Sequence, residues 1–277
     1  MLTKNNWLTT NLPERFTNPT VDFQLIFDLY PFKKMDFESA VEMTVKEIAS
    51  KHSNFYLALS GGCDSEFVLR AFHKFNIPIT PIIVGNGNDY DERKYAFDAC
   101  KELGITPVEI YISDDEFIEY CREKIFKKFN GIGYHATQVM FAAEYAEKNN
   151  GVLITGGHLI GEDGPYSVDA EWAILAEYAC YTGYAYPNIV NINFYLYTVE
   201  LMYSMFPDSP SGTWGQHRHK LLGLAYREKS RPWYSKNVQD RLREMYGKRE
   251  DYTHVVERIW TKEEFEGIIG PALIKES

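Results

Sequence analysis

Ser60-Gly61-Gly62-Cys63-Asp64-Ser65 gathers two hydroxyls, a thiol and a carboxylate around a pair of glycines. Glycines let main-chain N–H groups approach one spot and point at it. A helix starting there adds partial positive charge at its N-terminus. The stretch therefore suits an oxyanion, phosphate above all, with Ser60 and Ser65 as added donors. Asp64 repels a bare phosphate, so its presence calls for Mg²⁺ between the carboxylate and the phosphates. The loop is not of the P-loop kind, because no Gly-Lys-Ser/Thr closes it.

Two further groups of residues could do chemistry. Gly156-Gly157-His158-Leu159-Ile160-Gly161-Glu162-Asp163 is a second glycine turn that carries carboxylates. A basic cluster stands out in an otherwise acidic chain: Arg218, Lys220, Arg227, Lys229, Arg231 and Lys236. One or two of these cations could reach over bound phosphates and stabilise a leaving group. His217 and His219, two apart on an expected helix, point to different faces and make poor metal partners.

These residues need elements to hold them. Phe55–Leu59 is an apolar run of strand type leading into the glycines, and helical periodicity follows at Phe67, Val68, Leu69, Ala71, Phe72 and Phe75. A helix over 36–50 is expected, with Asp36 as its N-cap. The second strand is expected at Thr80–Val84, shortened by its prolines. A helix over 90–103 then stops at Gly104. The third strand is Val108–Ile112, followed by a helix capped by Ser113 or Asp114 and running to about Phe129. A further helix over 135–148 precedes a fourth strand at Gly151–Thr155. Strands alternating with helices of this length give an α/β fold with a doubly wound parallel sheet. In such sheets ligands sit beyond the carboxyl ends of the strands, where strand order reverses. An order of 3-2-1-4 would bring Ser60–Ser65 and the turn after Thr155 into one cleft. Beyond residue 165 the pattern is mainly helical, at 169–180, 194–206 and 214–226, with one short strand at 189–192. The expected division is an arm over 1–36, a nucleotide-binding domain over 37–165 and a helical substrate region over 166–277.

Composition sets limits. The chain has 277 residues, is 45% hydrophobic and 25% charged, and carries a net charge of -10. A general nucleic-acid binder would carry a basic face instead. No apolar run is long enough for a membrane helix, and the first residues lack the apolar core of a signal peptide. The four cysteines, Cys63, Cys100, Cys121 and Cys180, include no C-x-x-C pair, which disfavours zinc and iron–sulfur sites. Reduced thiols and a cytoplasmic location are expected.

Ser-Gly-Gly-x-Asp-Ser resembles the pyrophosphate-binding loop of the PP-loop ATP pyrophosphatases. That superfamily includes the synthetase domain of asparagine synthetase, NAD synthetase and the 7-cyano-7-deazaguanine synthases. The resemblance is close over the loop and its flanks, and looser over Lys51–Asp163. It implies a Rossmann-like fold of the PP-loop type, with ATP and Mg²⁺ as nucleotide and metal. It implies that Ser60, Gly61, Gly62, Cys63, Asp64, Ser65, Gly156 and Gly157 line the phosphate site. Val84 and Gly85, at the end of the second strand, would meet the adenine through main chain. The turn ending in Asp163 is similar to the family's second motif, with longer spacing. Asp64 and Asp163 would then hold the metal, with Glu162 behind Asp163 and His158 near phosphate or substrate. Lys220 is the candidate for the family's C-terminal helical lysine, with Arg218 and Arg231 behind it.

The resemblance implies an AMP-forming ligase that adenylates a carboxylate or carbonyl before ammonia or an amine attacks, with Asp64 and Lys220 at its catalytic centre. Leu2 is not the cysteine that a fused glutaminase would need there, so free ammonia, a substrate amine or an ammonia-supplying partner is expected. The acceptor would be a small molecule or a modified base, and the chain could act as a homodimer. Two other readings stay open. One is sulfur transfer or PAPS-type reduction; the other is a nucleotide-binding module without turnover.

Overall fold

The computed structural model describes residues 3–10, 25–86, 91–126, 137–156, 167–168, 190–205, 235–246, 258–259 and 267–274. The N-terminal arm contains three short strands. β1 (Thr3–Asn5), β2 (Leu8–Thr10) and β3 (Leu25–Phe27) make an antiparallel sheet. Trp7, buried in the first turn, stacks on Phe27 at 5.9 Å. Asn6 Nδ2 donates to the Tyr197 carbonyl at 2.6 Å and ties the turn to the main body. Near the other end of the chain, Phe32 N–H donates to Ala272 (3.0 Å) and Ile274 N–H donates to Phe32 (2.8 Å).

Helix α1 (Phe37–Lys51) starts where Asp36 was expected to cap it. The Asp36 carboxylate accepts from Ser39 N–H at 2.9 Å and from the Ser39 hydroxyl at 2.7 Å. These two bonds hold its carboxyl below the ordinary value. Phe37, Ala40, Val41, Thr44, Val45 and Ile48 recur at helical spacing and form the buried face.

The central layer is one five-stranded parallel sheet. Its strands are β4 (Phe55–Ala58), β5 (Ile79–Gly85), β6 (Val108–Tyr111), β7 (Val152–Thr155) and β9 (Val190–Asn193). A separate short ladder pairs β8 (Ser167–Val168) with β10 (Arg258–Ile259). The order of the central sheet is β6-β5-β4-β7-β9. The reversal expected between the first and fourth core strands is present, with Phe55 opposite Val152 and Leu57 opposite Ile154. The fifth strand is the short one expected at 189–192, and its pairing with β7 carries the sheet past residue 165.

Side chains alternate across this sheet as the pleat requires. Phe55, Leu57, Ile83, Val152 and Ile154 join one core with α1, α2 (Cys63–Lys74) and α3 (Asp91–Glu102). Tyr56, Ile82, Val84 and Leu153 join the other with α4 (Asp114–Tyr120), α5 (Thr137–Lys148) and α7 (Lys236–Tyr246), named in chain order after α6 (Val199–Ser204). Helices cover both faces, so the sheet is doubly wound. Among the described residues no helix is long and apolar enough to cross a membrane.

Two expectations change in detail. β5 runs over Ile79–Gly85, longer than Thr80–Val84, because Pro81 interrupts nothing. Ile82 O accepts from Leu59 N–H on the β4 side, so Pro81 turns its missing donor toward β6, whose pairing begins only at Ile82–Val108. The helix after the third strand is α-helical only to Tyr120 and continues as a π-turn over Cys121–Phe126. Ser113 is its cap, in a capping box with Glu116. Gly104 ends α3 at φ +67°, as expected. The helices expected at 169–180 and 214–226 lie outside the described residues.

Candidate phosphate site at the strand-order reversal

The turn after β4 is braced by its own hydroxyls. The Ser65 hydroxyl donates to the Gly62 carbonyl (3.1 Å) and accepts from Ser60 N–H (3.3 Å). Ser60 Oγ accepts from Gly62 N–H (3.3 Å) and lies 3.1 Å from Ser65 Oγ. Gly61 sits at φ +92°, which a side chain would oppose. Gly62 is the N-cap of α2 and has no side chain to close the cap. Gly62 thus puts no side chain of its own across the first-turn amides. Ser65 is 5% exposed and acts as the brace of the turn, while Ser60 stays at the surface.

Two carboxylates share the first turn of α2 and differ in environment. Glu66 is 1% exposed and accepts from Arg70 Nε at 2.8 Å, while Arg70 also grips Glu102 on α3 with two bonds of 2.9 and 2.6 Å. Glu66 therefore belongs to the packing of α2 on α3. Asp64 is half-buried, and a carboxylate in the first turn is favoured by the helix dipole. It fits as one donor to a divalent cation. Among the described residues no group of three His, Cys, Asp or Glu gathers to hold a metal. Asp163, the expected second ligand, lies outside the described residues with Glu162, His158 and Gly157. Lys220, Arg218 and Arg231 lie outside them too.

Gly156 does reach the turn. A Cβ built on it would stand 3.1 Å from the Asp64 carbonyl carbon and 3.1 Å from both N and Cα of Ser65. Backbone therefore meets backbone where β7 ends and α2 begins, and no side chain fits between. Gly156, the residue directly after the fourth core strand, thus packs on the peptide that opens α2.

At the end of β5 the expected base-binding pair is already engaged. Val84 O accepts from Gln138 Nε2 at 3.3 Å, and Gly85 O accepts from Ile112 N–H at 2.8 Å. The missing Cβ of Gly85 makes room for Arg93, whose Nη1 would stand 2.0 Å from it. Gln138 and Arg93 carry no sequence signal that points to this place, because each is an isolated polar residue in a helical stretch.

A polar clasp holds α7 at the same edge. Asp114 accepts from Asn86 Nδ2 (2.9 Å), the Ser235 hydroxyl (2.9 Å) and Asn237 Nδ2 (2.8 Å), and Ser235 N–H donates back to Asn86 Oδ1 (3.2 Å). Burial alone would raise the Asp114 carboxyl, but these bonds and the Arg241 charge outweigh it and hold it below the ordinary value. The unfolded chain thus takes up its proton first as pH falls. The stabilisation is fully present above about pH 5 and fades below about pH 4, near the unfolded value. Asp114→Ala is expected to cost about 2 kcal/mol at neutral pH, because it strands a buried carboxamide and two donors. Urea unfolding checks this, and the variant's loss relative to the parent shrinks toward pH 3.

The thiols differ in burial. Cys63 is half-buried at the first position of α2. Burial, with the Glu66 charge adding to it, pushes the Cys100 thiol up to about 11. Burial pushes Cys121 up to about 12, against a lowering contact from Thr137. Neither supplies thiolate near neutral pH.

Residues 36–157 match the sequence model of the asparagine synthase family. Curated proteins yield no match. Several solved structures are similar. The NH3-dependent NAD synthetase from Campylobacter jejuni, in complex with the nitrate ion, is 16% identical over 48% of this chain at a TM-score of 0.36. The chain covers 63% of that enzyme's length. The NMN synthetase from Francisella tularensis is 13% identical over 80% of this chain and 98% of its own, at 0.38. The glutamine-dependent NAD+ synthetase from Acinetobacter baumannii, in complex with ADP, is 13% identical over 77% of this chain and 38% of its own, at 0.41.

Proposed function

We propose, taking residues 36–157 as a PP-loop domain of the asparagine synthase type, that the chain is an ATP-dependent, AMP-forming ligase. The observation that carries this reading is the backbone contact of Gly156 with Asp64 and Ser65 across the strand-order reversal. It supports a glycine-lined floor at the positive end of α2, where a diphosphate gains most from main-chain N–H groups.

A carboxylate or carbonyl oxygen of the acceptor attacks the α-phosphorus of ATP. The bond from that phosphorus to the α,β-bridging oxygen breaks, and pyrophosphate leaves with the charge. The first-turn amides of α2 bind the departing group, with Gly62 keeping the approach open. Bound Mg²⁺ would neutralise phosphate charge. Asp64 would be one donor to it and Asp163 the other. Lys220 is assigned to the developing charge from the helical region. Ammonia or an amine then attacks the activated carbon, the carbon–oxygen bond to AMP breaks, and nitrogen loses a proton. An ammonia-supplying partner, a small acceptor bound by the region over 166–277 and a cytoplasmic setting complete the proposal.

Incubation with ATP, Mg²⁺, ammonia and a panel of carboxylic acids is expected to yield AMP and pyrophosphate. ADP as product overturns the reading. Tight ATP binding without turnover on any acceptor favours the nucleotide-binding module. Among the described thiols, a sulfur-transfer reading would rest on Cys63, since the buried Cys100 and Cys121 thiols are held protonated.

A further inference from the structure

Tyr195 is 0% exposed, yet its hydroxyl donates to the main-chain carbonyl of Asp64 at 2.9 Å, across 131 positions of sequence. A phenol buried this deeply costs free energy unless its O–H finds an acceptor, and phenylalanine would fill the same space without that demand. The ring is seated by Phe67 of α2 at 5.9 Å and by Phe194 at 5.3 Å. Both of these rings are apolar, and a phenylalanine would pack on them as well.

Its place in the fold gives the hydroxyl a reason. Tyr195 lies in the short 3-10 turn over Phe194–Leu196, directly after β9. Asn193 ends β9 in register with Thr155, which ends β7 just before Gly156. Two neighbouring strands therefore each send the residues that follow them onto one peptide unit, Asp64–Ser65. Gly156 touches it, and Tyr195 holds its carbonyl. A peptide unit is planar, so fixing its carbonyl oxygen also fixes the opposite direction taken by its N–H. In a first helical turn that N–H points out past the N-terminus, with no partner inside the helix ladder.

We propose that Tyr195 is a positioning residue for the phosphate loop. Its hydroxyl sets the Asp64–Ser65 peptide so that the Ser65 N–H and the Asp64 side chain face the diphosphate of the nucleotide. The inference rests on the ligase reading for the identity of that anion. It extends the site to the fifth strand of the sheet, beyond the segment that matches the family model.

Tyr195→Phe keeps the ring and removes the bond. Phe194→Leu is the control, because it loosens the same core and leaves the Asp64 carbonyl held. Three measurements decide: amide hydrogen exchange over Cys63–Glu66 in ligand-free protein, calorimetric binding of magnesium pyrophosphate, and steady-state kinetics. Tyr195→Phe is expected to speed exchange in that turn and to weaken pyrophosphate binding by about fivefold, the worth of one hydrogen bond. It is also expected to lower kcat with little change in KM for the acceptor. Phe194→Leu is expected to lower the melting temperature at least as much while binding pyrophosphate like the parent. Unchanged exchange in Tyr195→Phe overturns the clamp itself, whatever the ligand. Faster exchange with unchanged pyrophosphate affinity, or equal losses in the two variants, makes Tyr195 a packing residue and overturns the positioning role. A parent protein that binds neither pyrophosphate nor ATP sinks the ligase reading instead, and the exchange comparison still judges the clamp.

Discussion

Asp64→Asn is expected to cut AMP and pyrophosphate formation by at least about a hundredfold while the protein stays folded. The size follows from the proposed role. A carboxylate that helps hold the metal acts on charge that builds during the reaction, and removing one preorganised partner of such charge costs two to three orders of magnitude or so. The variant keeps the shape of the side chain and loses the charge. Stability should fall only slightly, by about 0.5 kcal/mol, because the first turn of α2 loses one acid that its dipole favoured. Glu66 supplies the contrast in the same turn. It is buried against Arg70, so Glu66→Gln should lower the melting temperature by weakening the buried pair behind the Arg70–Glu102 bridge from α2 to α3, while sparing turnover per folded molecule. If Asp64→Asn turns over within a few-fold of the parent, Asp64 holds no metal. If raised Mg²⁺ restores its rate, the loss lies in metal affinity and the assignment stands.

What could be read from the residues in order was what is local. An apolar run broken by Gly61-Gly62 announces a strand, a turn and a helix, because each signal sits next to the one it qualifies. The Asp36 and Ser113 caps were legible for the same reason. The strand-order reversal was legible because alternating strands and helices admit few orders. The long-range partners were not. Asn86 and Ser235 meet at Asp114 although they stand 149 positions apart, and no single polar residue in that clasp looks unlike a surface one. Tyr195 is one tyrosine among 20. Pro81 misled for a physical reason: whether a proline breaks a strand depends on which neighbour its missing N–H faces, and that needs the register. Val84 and Gly85 were assigned from the family's habit. Their surroundings, Gln138 on one carbonyl and Arg93 in the space of a missing Cβ, appear only in three dimensions.

Gly156→Val is expected to do the largest damage of any single methyl-scale change to this cleft. The three atoms that its Cβ would meet at 3.1 Å are all main chain, so no rotamer can move out of the way. Neither side of the contact can retreat. The end of β7 is held in register by β4 on one edge and β9 on the other. The start of α2 is held by the Ser60–Ser65 hydroxyl network below and by the Tyr195 hydroxyl beside it. Alanine must push by a few tenths of an ångström and should cost about 1 kcal/mol; valine adds two methyls and should cost about 2 to 3 kcal/mol. The displaced peptide is the one proposed to aim an N–H at the diphosphate, so ATP binding should fall with stability, at least tenfold for valine by the same free-energy scale. Urea midpoints and calorimetry test both losses. The order parent, Ala, Val must hold in each. A valine variant as stable and as tightly bound as the parent would mean that the two turns do not touch. Combined with Tyr195→Phe, the losses should fall short of additive, with about 0.5 kcal/mol or more of coupling, because both changes act on one peptide. Strict additivity would separate the two contacts, leaving Gly156 to shape the cleft floor and Tyr195 to act elsewhere.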